Sequence, residues 1–293
     1  MKNNMAMVRC VMALGGILAA LVPSAKAILV YGNNAGSAGI FKMDVNLTTG
    51  VGTVIQTFAN PSGGNGRGVV VVGNTIYSTV VSDSKIYKTD ATTGASLGFI
   101  QTAVASMSTI GFDGTNFWTT DYAGSNQGYK ISFTTGAVLQ TVNFSQATGY
   151  MDGMEFFNGK LIVNNTDGGF GGTIRYSIYD LNGTLLTPNF INAPNGTGIA
   201  FDGTNFLVSN VFAGGSQQIG YYDGTTGAFI KNITITNGAS WLAEDLSVDY
   251  STRVDTGGGG GNAPDGGSTA LMVVFSFAVC AFGAKRFGRQ ALA

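Results

Sequence analysis

The residues most able to do chemistry together are a set of acids spaced by an internal repeat. Aligned on Val69, Ile110, Met154, Ile199 and Leu246, the chain places Arg67, Ser108, Asp152, Thr197 and Glu244 at one equivalent position, two residues earlier, with Glu155 and Asp245 close by. Four carboxylates and a guanidinium at one point would hold a cation through oxygen ligands, as calcium sites do, or bind sugar hydroxyls. Among them Asp152, Glu155 and Glu244 are the residues that could form the carboxylate pair of a glycosidase. Polar residues at strand starts also cap backbone groups and line watered channels, and that is the main work expected of them here. The sequence names no metal and no cofactor; calcium is the one ion the set would suit. The chain contains no histidine, which excludes histidine-dependent triads, a histidine general base and the usual catalytic zinc sites.

The elements that must position these residues repeat. Apolar stretches run into a Thr-Thr-Gly-like turn five times, at Ile40–Gly50, Ile86–Gly94, Tyr129–Gly136, Tyr176–Gly183 and Ile219–Gly227, with the turn glycines 42–47 residues apart. A second marker keeps the same beat. Gly111–Trp118 and Ala200–Leu207 both read as two short apolar strands joined by Asp-Gly-Thr-Asn, and Val72–Tyr77 and Phe157–Ile162 are looser copies. Tight Asp-Gly and Asn-Gly turns of this kind join strands into hairpins. The predicted unit is therefore four strands, the Asp-Gly turn joining the first two and the Thr-Thr-Gly turn the outer two. That period is the length of one propeller blade. The fold class expected is all-β, a single five-bladed β-propeller over residues 28–254, with an open solenoid or a pair of sandwiches as alternatives. The ring is expected to close by pairing Ile28–Tyr31 with Leu246–Asp249, which would remove an exposed sheet edge. In architecture the repeats resemble NHL-like and quinoprotein-like propellers, without the signature residues of either. Of the aromatics near strand ends, Trp118, Tyr122, Phe170, Phe212 and Trp241, most are expected in the core, although any of them could stack on a sugar ring.

Composition bounds the partners. Residues 28–266 carry 9 Lys or Arg against 16 Asp or Glu, a balance of −7, so nucleic-acid phosphate would be repelled. The two cysteines, Cys10 and Cys280, lie in apolar terminal segments, leaving the repeats without disulfide or thiolate chemistry. Residues 1–27 read as a signal peptide: Lys2 and Arg9, an apolar core from Val11 to Val22, and a small-residue cleavage site at Ala25-Lys26-Ala27. At the other end a glycine-rich linker, 255–262, precedes a terminal segment, 263–293. This holds a polar motif (Pro264, Asp265, Gly266, Gly267, Ser268), an apolar stretch, Leu271–Ala284, read as a short transmembrane helix, and a basic stop of Lys285, Arg286 and Arg289. The stretch is shorter than the ~20 residues of a comfortable span, as suits a temporary anchor.

This tail resembles the PEP-CTERM class of bacterial sorting signals, closest to its VPDSG variant. The match rests on Pro264, Asp265, Gly267, Ser268 and Thr269; Ala263 and Gly266 stand where valine and serine are usual. The resemblance implies an exported protein, processed at its C-terminus by an exosortase-type membrane enzyme, at the cell envelope or surface or released. It further implies extracellular polysaccharide or surface proteins as partners. The expectation is a non-catalytic binding or matrix component, with a carboxylate-dependent glycan-active enzyme and a protein-interaction scaffold as alternatives. Truncation after Asp255 is expected to leave the repeat domain folded and to move it from envelope to medium in a fractionation experiment. Joint substitution of Pro264 and Asp265 is expected to leave an unprocessed, membrane-held precursor; normal processing of that variant would refute the sorting role.

Overall fold

The computed structural model describes residues 27–253 apart from 36–38, 62, 123, 147–148, 166–172, 211–216 and 239–240. The leader with Ala25, Phe170, Phe212, the linker, the motif Pro264–Ser268 and the basic residues Lys285, Arg286 and Arg289 lie outside the described residues. Ala27 opens the first strand.

Among the described residues every regular element is a strand, and the strands form antiparallel groups of four. The first group takes β1 (Ala27–Asn34), β2 (Ile40–Asn46) and β3 (Val51–Phe58). The next is β4 (Gly66–Val72), β5 (Thr75–Val80), β6 (Lys85–Asp90) and β7 (Ser96–Gln101). Then come β8 (Met107–Phe112), β9 (Asn116–Asp121), β10 (Gln127–Ser132) and β11 (Val138–Asn143), followed by β12 (Met154–Phe157), β13 (Lys160–Asn165), β14 (Thr173–Tyr179) and β15 (Leu185–Pro194). The last are β16 (Ile199–Phe201), β17 (Phe206–Ser209), β18 (Gln218–Tyr222), β19 (Phe229–Thr236) and a lone final strand, β20 (Ala243–Val248). That strand completes the first group by pairing with β1, Val30 opposite Val248 and Tyr31 opposite Ser247, the closure expected from the sequence. A second join was not foreseen. At the rim β19 runs parallel to β3, Thr234 opposite Val51, and merges the last and first groups into one eight-stranded sheet.

Burial grades from the centre outward. The innermost strands β4, β8, β12, β16 and β20 neighbour one another in a closed cycle, and β8 and β20 are buried at every residue. Both faces of these strands are covered, so the charged residues they carry, Arg67, Glu155, Glu244 and Asp245, are buried along with their apolar ones. The outer strands β7 and β11 each bury one residue, Ile100 and Val142. The core is accordingly a set of slabs between neighbouring groups. Val70, Tyr77, Ile86, Ile110 and Phe117 form one; Trp118, Phe144, Met154 and Tyr179 form the next. Trp118 and Trp241 both sit in such slabs, as expected of core aromatics.

The Thr-Thr-Gly turns join the third and fourth strands, and the short polar residue that opens each explains their composition: Asp90, Asp180 and Asp223 in three of them, Asn46 and Ser132 in the other two. Asp223 Oδ1 accepts from the backbone N–H of Thr225 at 3.0 Å and Thr226 at 2.7 Å, and Asp90 does the same for Thr92 and Thr93. The glycine answers two demands at once. Gly227 has φ +71°, and a Cβ there would overlap the carbonyl of Phe190 on the preceding group's outer strand; Gly136 stands likewise against Gln101. Each turn thus seats on its neighbour, which is why the marker keeps the period of the whole unit. Gly227→Ala is expected to destabilise by about 3 kcal/mol. Gly114→Ala, at φ +89° with open space around it, is expected to lose only the conformational share, about 1 kcal/mol. Urea unfolding of the two variants separates packing from backbone preference, and equal losses would refute the seating role.

Candidate functional site

The innermost strands run the same way round the axis, so residues at their starts share one end, the mouth, and residues after their ends share the far end. The polar residues at the starts do meet. Arg67, on β4, pairs with Glu244, on β20, at 3.2 Å, and both residues are more than nine-tenths buried. Ser108 Oγ, on β8, donates a very short hydrogen bond to Asp152 Oδ1. Thr197 shares a 2.7 Å hydrogen bond with Ser209 and reaches the carbonyl of Ala243. Three atoms of this group have no partner: Arg67 Nε, Asp152 Oδ2 and Glu244 Oε2. Above them the Arg67 guanidinium lies 4.3 Å from the centre of the Tyr122 ring, and Tyr122 stacks on Tyr150 at 4.7 Å and 24°. Tyr150 is 40% exposed, so the stack runs from a buried charge cluster to the surface. Asp121, next in the chain, lines a cavity of about 340 Å³ with Val104, Ser106 and Tyr129.

Burial is the main influence on the two carboxyls. It raises Asp152 from its ordinary value against the pull of Ser108 and Arg67. It pushes Glu244 up to about 7, Arg67 opposing and the charge of Asp152 adding to the rise. One guanidinium serves two acids.

Asp245 and Glu155 lie elsewhere. Asp245 is fully buried between strands, accepting from the backbone N–H of Val69 and the hydroxyl of Thr109, each at 3.1 Å, and burial raises it far above its usual range. Ser247 and Asp249 repeat the contact two and four residues on, accepting from Val71 N at 3.0 Å and Gly73 N at 2.9 Å. Glu155 belongs to the far end. It pairs with Arg253 at 3.2 Å and accepts from Tyr250 Oη, Phe156 N and Phe201 N. The Arg253 guanidinium lies 3.8 Å over the Tyr250 ring and donates to the carbonyls of Phe156 and Phe201. The segment after β20 therefore closes the far end with an arginine and a tyrosine.

The expected single cluster of four acids is thus corrected: two acids face Arg67, one is set between strands, and one is held by the closing segment. The strand pleat separates them, since Glu244 and Asp245 are adjacent and point to opposite faces. Among the described residues no group of three or more acidic side chains is placed to hold a metal ion. Of the acids named for glycoside chemistry, Asp152 and Glu244 share the cluster and Glu155 does not. Sequence reasoning missed Tyr150, Tyr250 and Arg253, and a whole layer of second-strand residues. Thr79, Asn164 and Ser209 accept from the N–H of Gly68, Gly153 and Gly198 at 2.8, 3.1 and 3.0 Å, while Asn33 donates to the carbonyl of Gly68 and Thr120 to that of Met151. Their signal was present as a short polar residue at the end of each second strand.

Solved structures share this architecture. A chain of a nidogen–laminin complex superposes with a TM-score of 0.52, covering 75% of this chain and 98% of its own, at 12% identity. The fold is a β-propeller. Glutaminyl cyclase of Myxococcus xanthus is similar at a TM-score of 0.46 and 13% identity, covering 72% of this chain and 76% of its own. No protein-family profile and no curated protein matches the chain. At such identities the likeness extends to the propeller and not to a ligand.

The propeller's axial acids give its stability a defined pH dependence. Folding raises Asp152, Glu155, Glu244 and Asp245, so the folded state holds protons more tightly than the unfolded chain. The contribution is complete below the ordinary carboxylate range and is lost as pH rises through the folded values, for Glu244 from 4.5 to about 7. No imidazole masks this window. The melting temperature is expected to fall by several degrees between about pH 5 and pH 8, and Glu244→Gln to flatten the fall. A melting temperature that rises across that window would contradict the assignment.

Proposed function

We propose that the protein is an exported, surface-sorted, non-catalytic propeller of five blades that binds or structures extracellular polysaccharide at its mouth. The five four-stranded groups are read as the blades. The observation that carries the binding reading is the Tyr122–Tyr150 stack, in which the 40% exposed Tyr150 leads onto buried, partly unpartnered polar groups. Aromatic rings present a flat apolar surface to a sugar ring while nearby polar atoms take its hydroxyls. The chain's direction suits display. β1 runs antiparallel to β20, so Ala27 and Arg253 both leave from the far end, and a tail anchored beyond Arg253 would turn the mouth away from the membrane. An exosortase-type enzyme is the processing partner in this reading, and the negative balance of residues 28–266 disfavours nucleic acid.

A glycan-active enzyme is the second reading, favoured by Glu244, whose carboxyl at about 7 suits a general acid beside Asp152. Retention of the full-length protein on purified exopolysaccharide tests the first reading. Tyr150→Ala and Tyr122→Ala are each expected to weaken retention by about tenfold without changing the fold, as loss of a stacking contact does. Release of reducing ends from a glycan panel would favour the enzyme, and absence of retention on every polysaccharide would end the binding reading.

A further inference from the structure

The outer strands repeat a device that the mouth does not use. Between β2 and β3, Gln56 and Val54 stand opposite the consecutive residues Lys42 and Met43, which leaves Ile55 as an extra residue, a β-bulge. Leu139 is left over in the same way in β11, Leu186 in β15 and Ile230 in β19. In β7 the two residues Leu97 and Gly98 span the place of one, Lys88. Every four-stranded group thus ends in a bulged outer strand, and the bulge carries a large aliphatic side chain that is 46–55% exposed. Phe99, Val138 and Phe229 lie beside them and are also exposed.

The strands that hold these residues are almost without charge. β3, β7, β11 and β15 contain no charged residue, and β19 contains only Lys231, whose ammonium donates to the carbonyls of Leu47 and Thr48. Exposed sheet edges are ordinarily guarded by lysine. Here the bulge interrupts the ladder instead, so an approaching edge meets protruding side chains rather than a row of bare N–H and C=O groups.

Three occupants can be weighed against this rim. A bilayer would come from the far end, where the chain leaves, and the bulges stand back from it: Leu97, Leu139, Leu186 and Ile230 each follow a turn glycine by three residues, about 10 Å of strand. Three of the intervening turns hold Asp90, Asp180 and Asp223, kept ionised by backbone N–H groups, which a lipid surface would have to desolvate. The chain's own apolar stretch, Leu271–Ala284, is one segment and cannot serve five places. A second copy meets the requirements. It comes from the side and carries the same apolar side chains at the same level, and along this uncharged rim copies with a balance of −7 approach without bringing like charges together. Ala27 and Arg253 both leave from the far end, so copies held by their tails would stand at one height with their rims level.

We propose that the rim of outer strands is a lateral contact surface for further copies of this chain, apolar bulge against apolar bulge. β7, β11 and β15 keep free outer edges, whereas β3 and β19 are joined to each other, so one copy can meet several neighbours and build an open layer rather than a closed dimer. The inference is separate from glycan binding at the mouth and rests on the anchored reading only for the common height. One contact covers a few side chains, far less than the roughly 800 Å² per partner of a stable dimer, so it is weak singly and gains by repetition.

The test is sedimentation equilibrium of the full-length protein in density-matched detergent up to about 1 mM, where a contact of this size is expected to be half formed. The apparent mass is expected to rise with concentration. A variant carrying Leu97→Lys, Leu139→Lys and Leu186→Lys together is expected to associate about tenfold more weakly with an unchanged melting temperature. These substitutions move the balance toward zero, −7 + 3 = −4, so the loss cannot come from added like-charge repulsion. Leu139→Lys alone, expected to weaken association about threefold, decides the matter if the triple variant fails to fold. Leu242→Lys, at an exposed position beside the mouth, is expected to leave association intact. A mass independent of concentration, association that survives the rim substitutions, or its loss in Leu242→Lys each overturns the inference. None of these outcomes touches the glycan reading, which retention on exopolysaccharide tests.

Discussion

The innermost strands can close on one another because their backbones come into direct contact at one level of the axis. At that level Gly68, Gly153 and Gly198 leave no room for a side chain: a Cβ on Gly68 would press on Ile110 N, and one on Gly198 would overlap the Cα of Asp245. Asp245 and Thr109 are the side chains that remain, and they are joined by a hydrogen bond. An inner strand in such a ring has one edge without a strand partner, and its buried N–H groups would be costly if left bare. Side chains take the place of the missing strand. Asp245 and Ser247 serve alternate N–H groups of β4, Asp249 serves Gly73 just past its end, Thr109 serves Met154, and Glu155 serves Phe201. Two of the four acids that look like chemistry in the sequence, Asp245 and Glu155, belong to this substitute ladder.

That requirement explains why acids can be buried on the axis at all. A carboxyl removed from water is stabilised when it accepts backbone N–H groups or meets a guanidinium. Asp245 takes the first route, and Glu155 takes both through Phe156, Phe201 and Arg253. Asp152 and Glu244 sit one level higher, where no strand edge remains to be served. Their free oxygens are a consequence of position: the ladder has ended and the chain has not yet turned outward.

The repeat was legible in the sequence because its two markers are tied to backbone geometry. The Thr-Thr-Gly-like turn needs a left-handed residue and a flat seat on its neighbour, so Gly50, Gly94, Gly136, Gly183 and Gly227 had to recur at the length of the unit. The pairing of β1 with β20 was legible because each end of the chain lacked a partner. The parallel contact of β19 with β3 was not, since two exposed outer strands with Thr53 bonded to Thr236 carry no periodic signal. Of the site, alignment found Arg67, Ser108, Asp152 and Glu244 because they share one register. It grouped Glu155 and Asp245 with them wrongly, because nearness in sequence along a strand is not nearness of side chains. Tyr150 and Arg253 lie in connections whose course depends on the closed ring, beyond the reach of any repeat.

The two ends of the axis therefore differ by what the chain had left to supply. At the far end the segment after β20 folds back, and Tyr250 and Arg253 satisfy Glu155 on every side; the arginine's side chain is 1% exposed. At the mouth the corresponding arginine, Arg67, belongs to an inner strand, pairs with Glu244 and also pulls on Asp152. The segment after β20 thus ties β12 and β16 together at the far end through Glu155, Phe156 and Phe201. The other end keeps the unpaired acceptors and the tyrosine stack, so the two ends of one axis carry different chemistry.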